Sequence, residues 1–270
     1  MRKSYIVLCI LCAVLIGAGT VLCLIGRASG DVFDNSNTHS DTPVISNISG
    51  SLSSLVIKCD KADVTVHGGA ESDYIETVNI DADMINVKNS EVSIKNADYF
   101  TAAYNTVMNF NGLRNILFPG KSYSGDKKID VYLSEKSSVK QINIEIENGT
   151  VQIFDMKSST DYGLRINGKG EISAENVSTP SSMDINVNDG NVTLRSTTCL
   201  QLEGGIQTGN LHVYADAKKQ NCSLKCSDGQ IYILDESQGA EYEKNVGEAS
   251  KLTFSVGSGN IYLHGEEKSE

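Results

Sequence analysis

A glycine-centred frame of about twenty residues, repeated through most of the chain, restricts what this sequence can fold into more than any other feature. It reads Ile144-Glu145-Ile146-Glu147-Asn148-Gly149-Thr150-Val151-Gln152-Ile153, and returns from Ile185 to Leu194, from Leu224 to Ile233 and from Phe254 to Leu263. Gly209, with Leu211 and Val213 behind it, is a further copy, as is Gly170 with Ile172 and Ala174, which carries one extra residue before its glycine. The glycines at 149, 170, 190, 209 and 229 are 21, 20, 19 and 20 residues apart, and Gly259 follows a longer loop. All six have apolar residues two and four places later, and all but Gly170 have an apolar residue or Cys three places earlier. Two degenerate copies precede them: Ile57, Cys59, Val64 and Val66 around Ala62, and Ile85, Val87, Val92 and Ile94 around Ser90.

Apolar and polar residues alternate within each copy, the period of a strand with one buried face. A unit of this length is one coil of a β-solenoid. Stacked coils would bring positions −3, +2 and +4 into inward ladders, with glycine at a corner that needs positive φ or close approach. The expected fold is all-β, a right-handed β-helix-like solenoid over 52–265. A meander of hairpins is the alternative, because Asn-Gly and Asp-Gly are also hairpin turns.

The recurring Ser/Asp-Gly-x-Ile/Val-x-Ile/Leu strand resembles the bacterial "putative adhesin" β-strand-repeat family. Lys128-Ile129-Asp130-Val131-Tyr132-Leu133 and the stretch from Val139 to Gly149 are similar to the segment that opens the array in that family. The resemblance covers roughly residues 52–265. It implies a β-helix-like body outside the cell, in a family of unknown function, some members of which belong to envelope-stress and antibiotic-response systems. It implies no catalytic residue.

The first residues are a different material. Arg2 and Lys3 precede an uncharged run from Tyr5 to Ile25, and Arg27 follows it. Twenty-one residues at helical rise span about 30 Å, the hydrocarbon thickness of a bilayer. Residues 1–26 are therefore expected to form a single-pass transmembrane signal anchor, with the N-terminus inside and the body extracytoplasmic. Cleavage after Ala28-Ser29-Gly30 and lipidation of Cys23 are the competing fates. Residues 27–51, rich in Ser, Asn, Asp and Thr, read as a polar linker, and 266–270 as a charged tail. With Arg2, Lys3 and Arg27 in the leader, the exported part of a chain of net charge −11 stands at −14. That argues against a nucleic-acid partner and is compatible with a cationic peptide, a divalent cation or a neutral glycan, and an envelope protein is a further expected partner.

Of 11 Tyr and 6 Phe, six fall between Tyr99 and Tyr123, interleaved with Asn105, Asn109, Asn111 and Asn115. Residues 97–124 read as an insertion that departs from the repeat. Tyr99, Phe100, Tyr104 and Phe110 are its candidate binding surface, since aromatic faces and amides suit a glycan or peptide. The other reading is a cover over a sheet edge. Cys59 and Cys226 share the −3 position with Ile146 and Val187 and read as small core residues. A Cys199–Cys222 disulfide between neighbouring coils is the pairing that an exported chain allows. His67 and His264 both lie five residues after a repeat centre, on one face, with no recurrent second metal ligand. Asp155, Asp189, Asp228 and Asp235 recur near turns, where Asp is favoured for backbone reasons. No nucleophile elbow or phosphate loop is present, so no cofactor and no catalytic residue is expected. The expected function is a non-enzymatic, membrane-anchored binding or scaffold module of the cell envelope, as in envelope-stress sensing. The alternatives are a surface adhesin acting through the aromatic insertion and a β-helix carbohydrate-active enzyme.

Overall fold

The computed structural model describes residues 43–48, 52–80, 85–88, 91–95, 127–157, 160–215 and 220–265. Among these residues every regular element is a strand. The first are β1 (Val44–Asn47), β2 (Ser54–Lys61), β3 (Asp63–Ala70), β4 (Tyr74–Val78), β5 (Ile85–Lys88), β6 (Glu91–Lys95) and β7 (Lys128–Ser134). Three long strands follow: β8 (Gln141–Phe154), β9 (Asp161–Glu175) and β10 (Ser178–Arg195). Next come β11 (Thr198–Thr208), β12 (Leu211–Tyr214), β13 (Asn221–Asp228) and β14 (Ile231–Ile233). The last are β15 (Glu236–Gly239), β16 (Glu241–Lys244), β17 (Lys251–Ser258) and β18 (Ile261–His264).

The repeat copies lie side by side in parallel register. Ile144 pairs with Leu164, Ile185 with Leu164 on the other side, and Gly170 with both Gly149 and Gly190. Alternation puts Ile57, Ile144, Leu164, Ile185, Phe254 and Leu224 in one buried row, and Val64, Val151, Ile172, Val192, Leu211, Ile261 and Ile231 in another. Both rows belong to a single apolar cluster. Gly204 falls in the first row beside Phe254, so the one ring in that row sits where its neighbour has no side chain. At the extra residue of the Gly170 copy, register shifts on both sides of β9 absorb the insertion, and Ile166 stays buried.

The expected closed solenoid of successive coils does not form. The strands make one mixed sheet of eighteen. Two findings overturn the solenoid. The parallel ladder is taken over at its margins by antiparallel pairs: β1–β4, β4–β7 and β5–β6 on one side, β13–β16 and β14–β15 on the other. The ladder also departs from chain order, since β17 pairs with both β11 and β13 and thus separates them. The cause is local. Leu234 and Asp235 have φ of 50° and 68°, two successive left-handed residues that reverse the chain after β14. β15 and β16 then occupy the outer edges of β14 and β13, and the last copy, β17 with β18, enters on their inner edges. The copy around Ser90 is likewise corrected: β5 and β6 pair as antiparallel strands, with Ile85 opposite Ile94.

The anticipated transmembrane helix at 1–26 lies outside the described residues. Among those described, no helix is long and apolar enough to cross a membrane. Within the stretch read as linker, β1 is a strand that docks antiparallel on β4.

Candidate binding surface

The alternation that fills the core also sets up two solvent-facing surfaces, one on each side of the glycine row.

On the C-terminal side, positions +3 and +5 carry rings. Tyr74, Tyr132, His67 and Phe154 form one stack, with centroids 4.4, 4.8 and 5.7 Å apart. His212, Tyr262 and Tyr232 form another, at 4.7 and 5.1 Å, with Tyr214 on His264 at 4.4 Å beside it. Arg195 lies 4.0 Å from the centroid of Tyr214. His67 and His264 do share this face, at opposite ends. His212 is held below the usual imidazole range, first by burial and then by His264 and Arg195. Adjacent strands are about 4.8 Å apart, so rings in register lie face to face on each other. The faces between partners are taken, and apart from the terminal rings of each stack only edges meet solvent. This surface stiffens the sheet and offers little to a sugar that needs an open ring face.

On the N-terminal side the surface is a trough. Position −4 runs Lys58, Glu145, Arg165, Asn186, Gly205, Ser255, Lys225 across β2, β8, β9, β10, β11, β17 and β13. Long charged side chains at both ends give way to an amide, a glycine and a hydroxyl in the middle. The dip is a groove of about 520 Å³ lined by Arg165, Asn186, Asn188, Gln207, Ser227 and Ser255, with Gly205 and Gly257 in its floor. From β9 to β13 it crosses four strand spacings, roughly 19 Å. A second groove of about 270 Å³, opened by Gly163, shares Arg165 and Asn186 with the first and continues toward β2.

The two floor glycines have different causes. A Cβ on Gly257 would lie 2.5 Å from the Gln207 carbonyl oxygen, so close backbone approach excludes a side chain there. A Cβ on Gly205 would meet nothing nearer than the Ser255 hydroxyl at 3.2 Å, a group that can rotate away. Its φ is also outside the left-handed region. Packing does not require glycine at 205, and its effect is to keep the groove open.

The trough is fixed at both ends and free between them: at the far end Lys225 pairs with Glu241 at 2.7 Å. Lys58 donates to Glu145 at 2.7 Å, and Asn167 donates to Glu145 at 3.2 Å; Lys58 first and Asn167 second hold that carboxyl below the usual range. Asn186 donates to Asp184 at 2.7 Å, and Asn188 donates to the Asn167 carbonyl. Among the described residues, the side chains of Gln207, Ser227, Ser255 and Arg165 make no hydrogen bond, and all four are exposed. Lys58 and Arg165 are balanced by Glu145 and Asp184, so the trough is close to neutral.

The candidates named from sequence fall elsewhere. Tyr99, Phe100, Tyr104 and Phe110 lie outside the described residues. Cys199 and Cys222 are free thiols, and the proposed bridge is corrected by the strand order. β17 stands between their strands, and the ladder partner of Cys222 two strands away is Leu202, about 9.6 Å off and three residues beyond Cys199. No disulfide spans that distance. Asp155 and Asp235 occupy left-handed corners at φ of 56° and 68°. Among the described residues no three His, Cys, Asp or Glu side chains converge as metal ligands. The trough escaped the sequence reading because that reading followed inward positions. Its signal was the loss of side-chain length along position −4.

No protein-family model and no curated protein matches the chain. Among solved structures, a "putative cell adhesion protein" from Clostridium sporogenes is 12% identical with a TM-score of 0.46, over 83% of this chain and 99% of the other. A "putative lipid binding protein" from Parabacteroides distasonis is 15% identical with a TM-score of 0.35, over 83% and 98%. Likeness at this level carries no functional argument.

Proposed function

We propose that the chain is a non-enzymatic binding module, held outside the cytoplasm by its N-terminal segment, and that the trough across β2 to β13 takes a neutral, linear glycan. The observation that carries this is Gly205, a residue whose missing side chain serves the open groove and not the backbone. Amides and hydroxyls both donate and accept, as sugar hydroxyls do. The strands under the trough are hydrogen-bonded on both edges, which leaves no backbone for an added peptide strand. The chain's net charge of −11 opposes polyanions. The uncharged run from Tyr5 to Ile25 and the resemblance to adhesin-type envelope repeats support the placement.

The test is calorimetric titration of the full chain in detergent with neutral and uronic-acid-bearing oligosaccharides. Neutral chains should bind. Gly205→Trp, which fills the floor, should abolish binding, and Gly205→Ala should preserve the fold. Deletion of residues 97–124 should leave binding intact. Binding that survives Gly205→Trp and is lost with the deletion would transfer the activity to the aromatic insertion, and no binding to any neutral chain would end the reading.

A further inference from the structure

One arrangement occurs twice in the trough, on different strands. On β11, Gly205 has Asn186 of β10 on one side and Ser255 of β17 on the other. On β17, Gly257 has Gln207 of β11 on one side and Ser227 of β13 on the other. In both, an amide side chain and a hydroxyl face each other across a bare glycine, with the amide on the same side. The second copy is displaced from the first by one strand and two residues, roughly 8 Å. In the first copy the amide is oriented. Asn186 donates its nitrogen to Asp184 at 2.7 Å, and its oxygen is turned to the glycine, 4.0 Å from where a Gly205 side chain would begin. The Ser255 hydroxyl lies 3.2 Å from the same point. In the second copy the side chains of Gln207 and Ser227 are exposed and make no hydrogen bond among the described residues.

Resting on the reading of the trough as a glycan site, we infer that its ligand carries N-acetylated amino sugars, with one acetamido group seated over Gly205 and a second over Gly257. The match is one of chemistry and reach. The two strands that flank each glycine stand about 9.6 Å apart. A sugar hydroxyl is a single point and bonds to one flank only. An acetamido group is planar and presents its N–H and its C=O in opposite directions. It can donate to the amide oxygen on one flank and accept from the hydroxyl on the other, with hydrogen bonds of about 2.9 Å at each end. Its methyl then lies over the glycine, where a side chain would exclude it. A pyranose ring is about as long as a strand spacing, so the two seats are nearer two rings apart than one. In an extended β-1,4-linked chain alternate rings turn the same edge down, so the two groups belong to a ring and its next neighbour but one. The third bare glycine of the trough, Gly163, lies between Asn143 and Asp184. A carboxylate accepts and cannot donate to a carbonyl, so the pattern ends there and gives the bound chain one direction.

The experiment is calorimetric titration of the full chain in detergent with two neutral series of the same β-1,4 linkage, N-acetylglucosamine oligomers and glucose oligomers of two to six rings. The N-acetylated series should bind roughly tenfold tighter, the worth of one good hydrogen bond, or better. Its affinity should rise in a step from the dimer to the trimer, the shortest chain that reaches both seats. Gln207→Ala and Ser227→Ala should each flatten that step, and Ser255→Ala should lower the preference for the N-acetylated series. Circular dichroism of each variant separates a lost contact from lost folding. Equal affinity for the two series would overturn the inference and leave the glycan reading standing, whereas binding to neither series would end both. A preference unchanged in the Ser227→Ala, Ser255→Ala double variant would also overturn the inference, since the acetamido groups would then be recognised elsewhere.

Discussion

The carbonyl oxygen of Gly190 stands where a side chain on Gly209 would begin. An ideal Cβ on Gly209 would lie 1.7 Å from it, and Gly209 has a φ of +139°. The same relation links Gly170 to Gly149 and Gly259 to Gly209, at 1.8 Å each. The repeat thus needs glycine because adjacent strands approach through the Cβ position, and the close approach propagates from copy to copy.

Gly209→Ala should therefore cost about 3 kcal/mol or more, since both backbone conformation and a neighbouring backbone oppose it. Gly205→Ala, four residues away, should cost less than about 1 kcal/mol. Chemical denaturation of the two variants checks the contrast. Equal losses would show that backbone approach is not what distinguishes the two positions.

Much of this was legible in the sequence, and the losses have physical causes. Positions −3, +2 and +4 read correctly as buried except at Ile233, which is half-buried, and Cys59 and Cys226 take core places at 2% exposure each. Strand order was not legible, because each parallel pairing is equally satisfied by any copy of the frame. The reversal at Leu234 and Asp235 places β17 between β11 and β13, and although Asp235 suits a left-handed turn, Leu234 before it does not announce one. The Ser90 copy misled because an antiparallel hairpin has the same alternation as a repeat. The trough depends on which strands become neighbours, so it could be seen only once Arg165, Asn186, Gly205 and Ser255 were in one row.

The residue after each glycine forms a second ladder. The Asn191 side-chain oxygen accepts the backbone N–H of Asn210 at 3.0 Å, that of Asn210 accepts Asn260 N–H at 2.9 Å, and that of Asn260 accepts Gln230 N–H at 2.9 Å. Asn210→Ala leaves a partly buried donor unpaired, and should cost about 1–3 kcal/mol. Asn210→Asp keeps the acceptor and should cost less. Thermal melts of the two variants separate the missing acceptor from a general effect of substitution.

The four thiols among the described residues should be inert while the chain is folded. Burial pushes Cys59 up to about 12 and Cys199 up to about 11, and raises Cys222 and Cys226 in the same direction. The thiolate is the reactive species, so alkylation at pH 8 should be slow at all four and become fast in denaturant. Non-reducing peptide mapping should find Cys199 and Cys222 unlinked. A recovered Cys199–Cys222 peptide would contradict the interposed β17.

Glu145 should make the acid limb of stability visible at the head of the trough. Lys58 and then Asn167 hold its carboxyl below the usual value of 4.5. A carboxylate with a depressed folded pKa takes up its proton more readily in the unfolded chain, so its contribution is complete above about 4.5 and is lost as pH falls through the folded value. The stability gap between the native chain and Glu145→Gln should therefore be widest near neutrality and close under acid. It should also be small, under about 1 kcal/mol, and shrink with added salt, because the Lys58 and Glu145 side chains are 47% and 30% exposed and the pair is screened. Denaturation at several pH values in low and high salt measures both trends. A gap that persists below the carboxylate range would mean that Glu145 acts through packing, and that the charge pair is incidental to how this end of the trough is held.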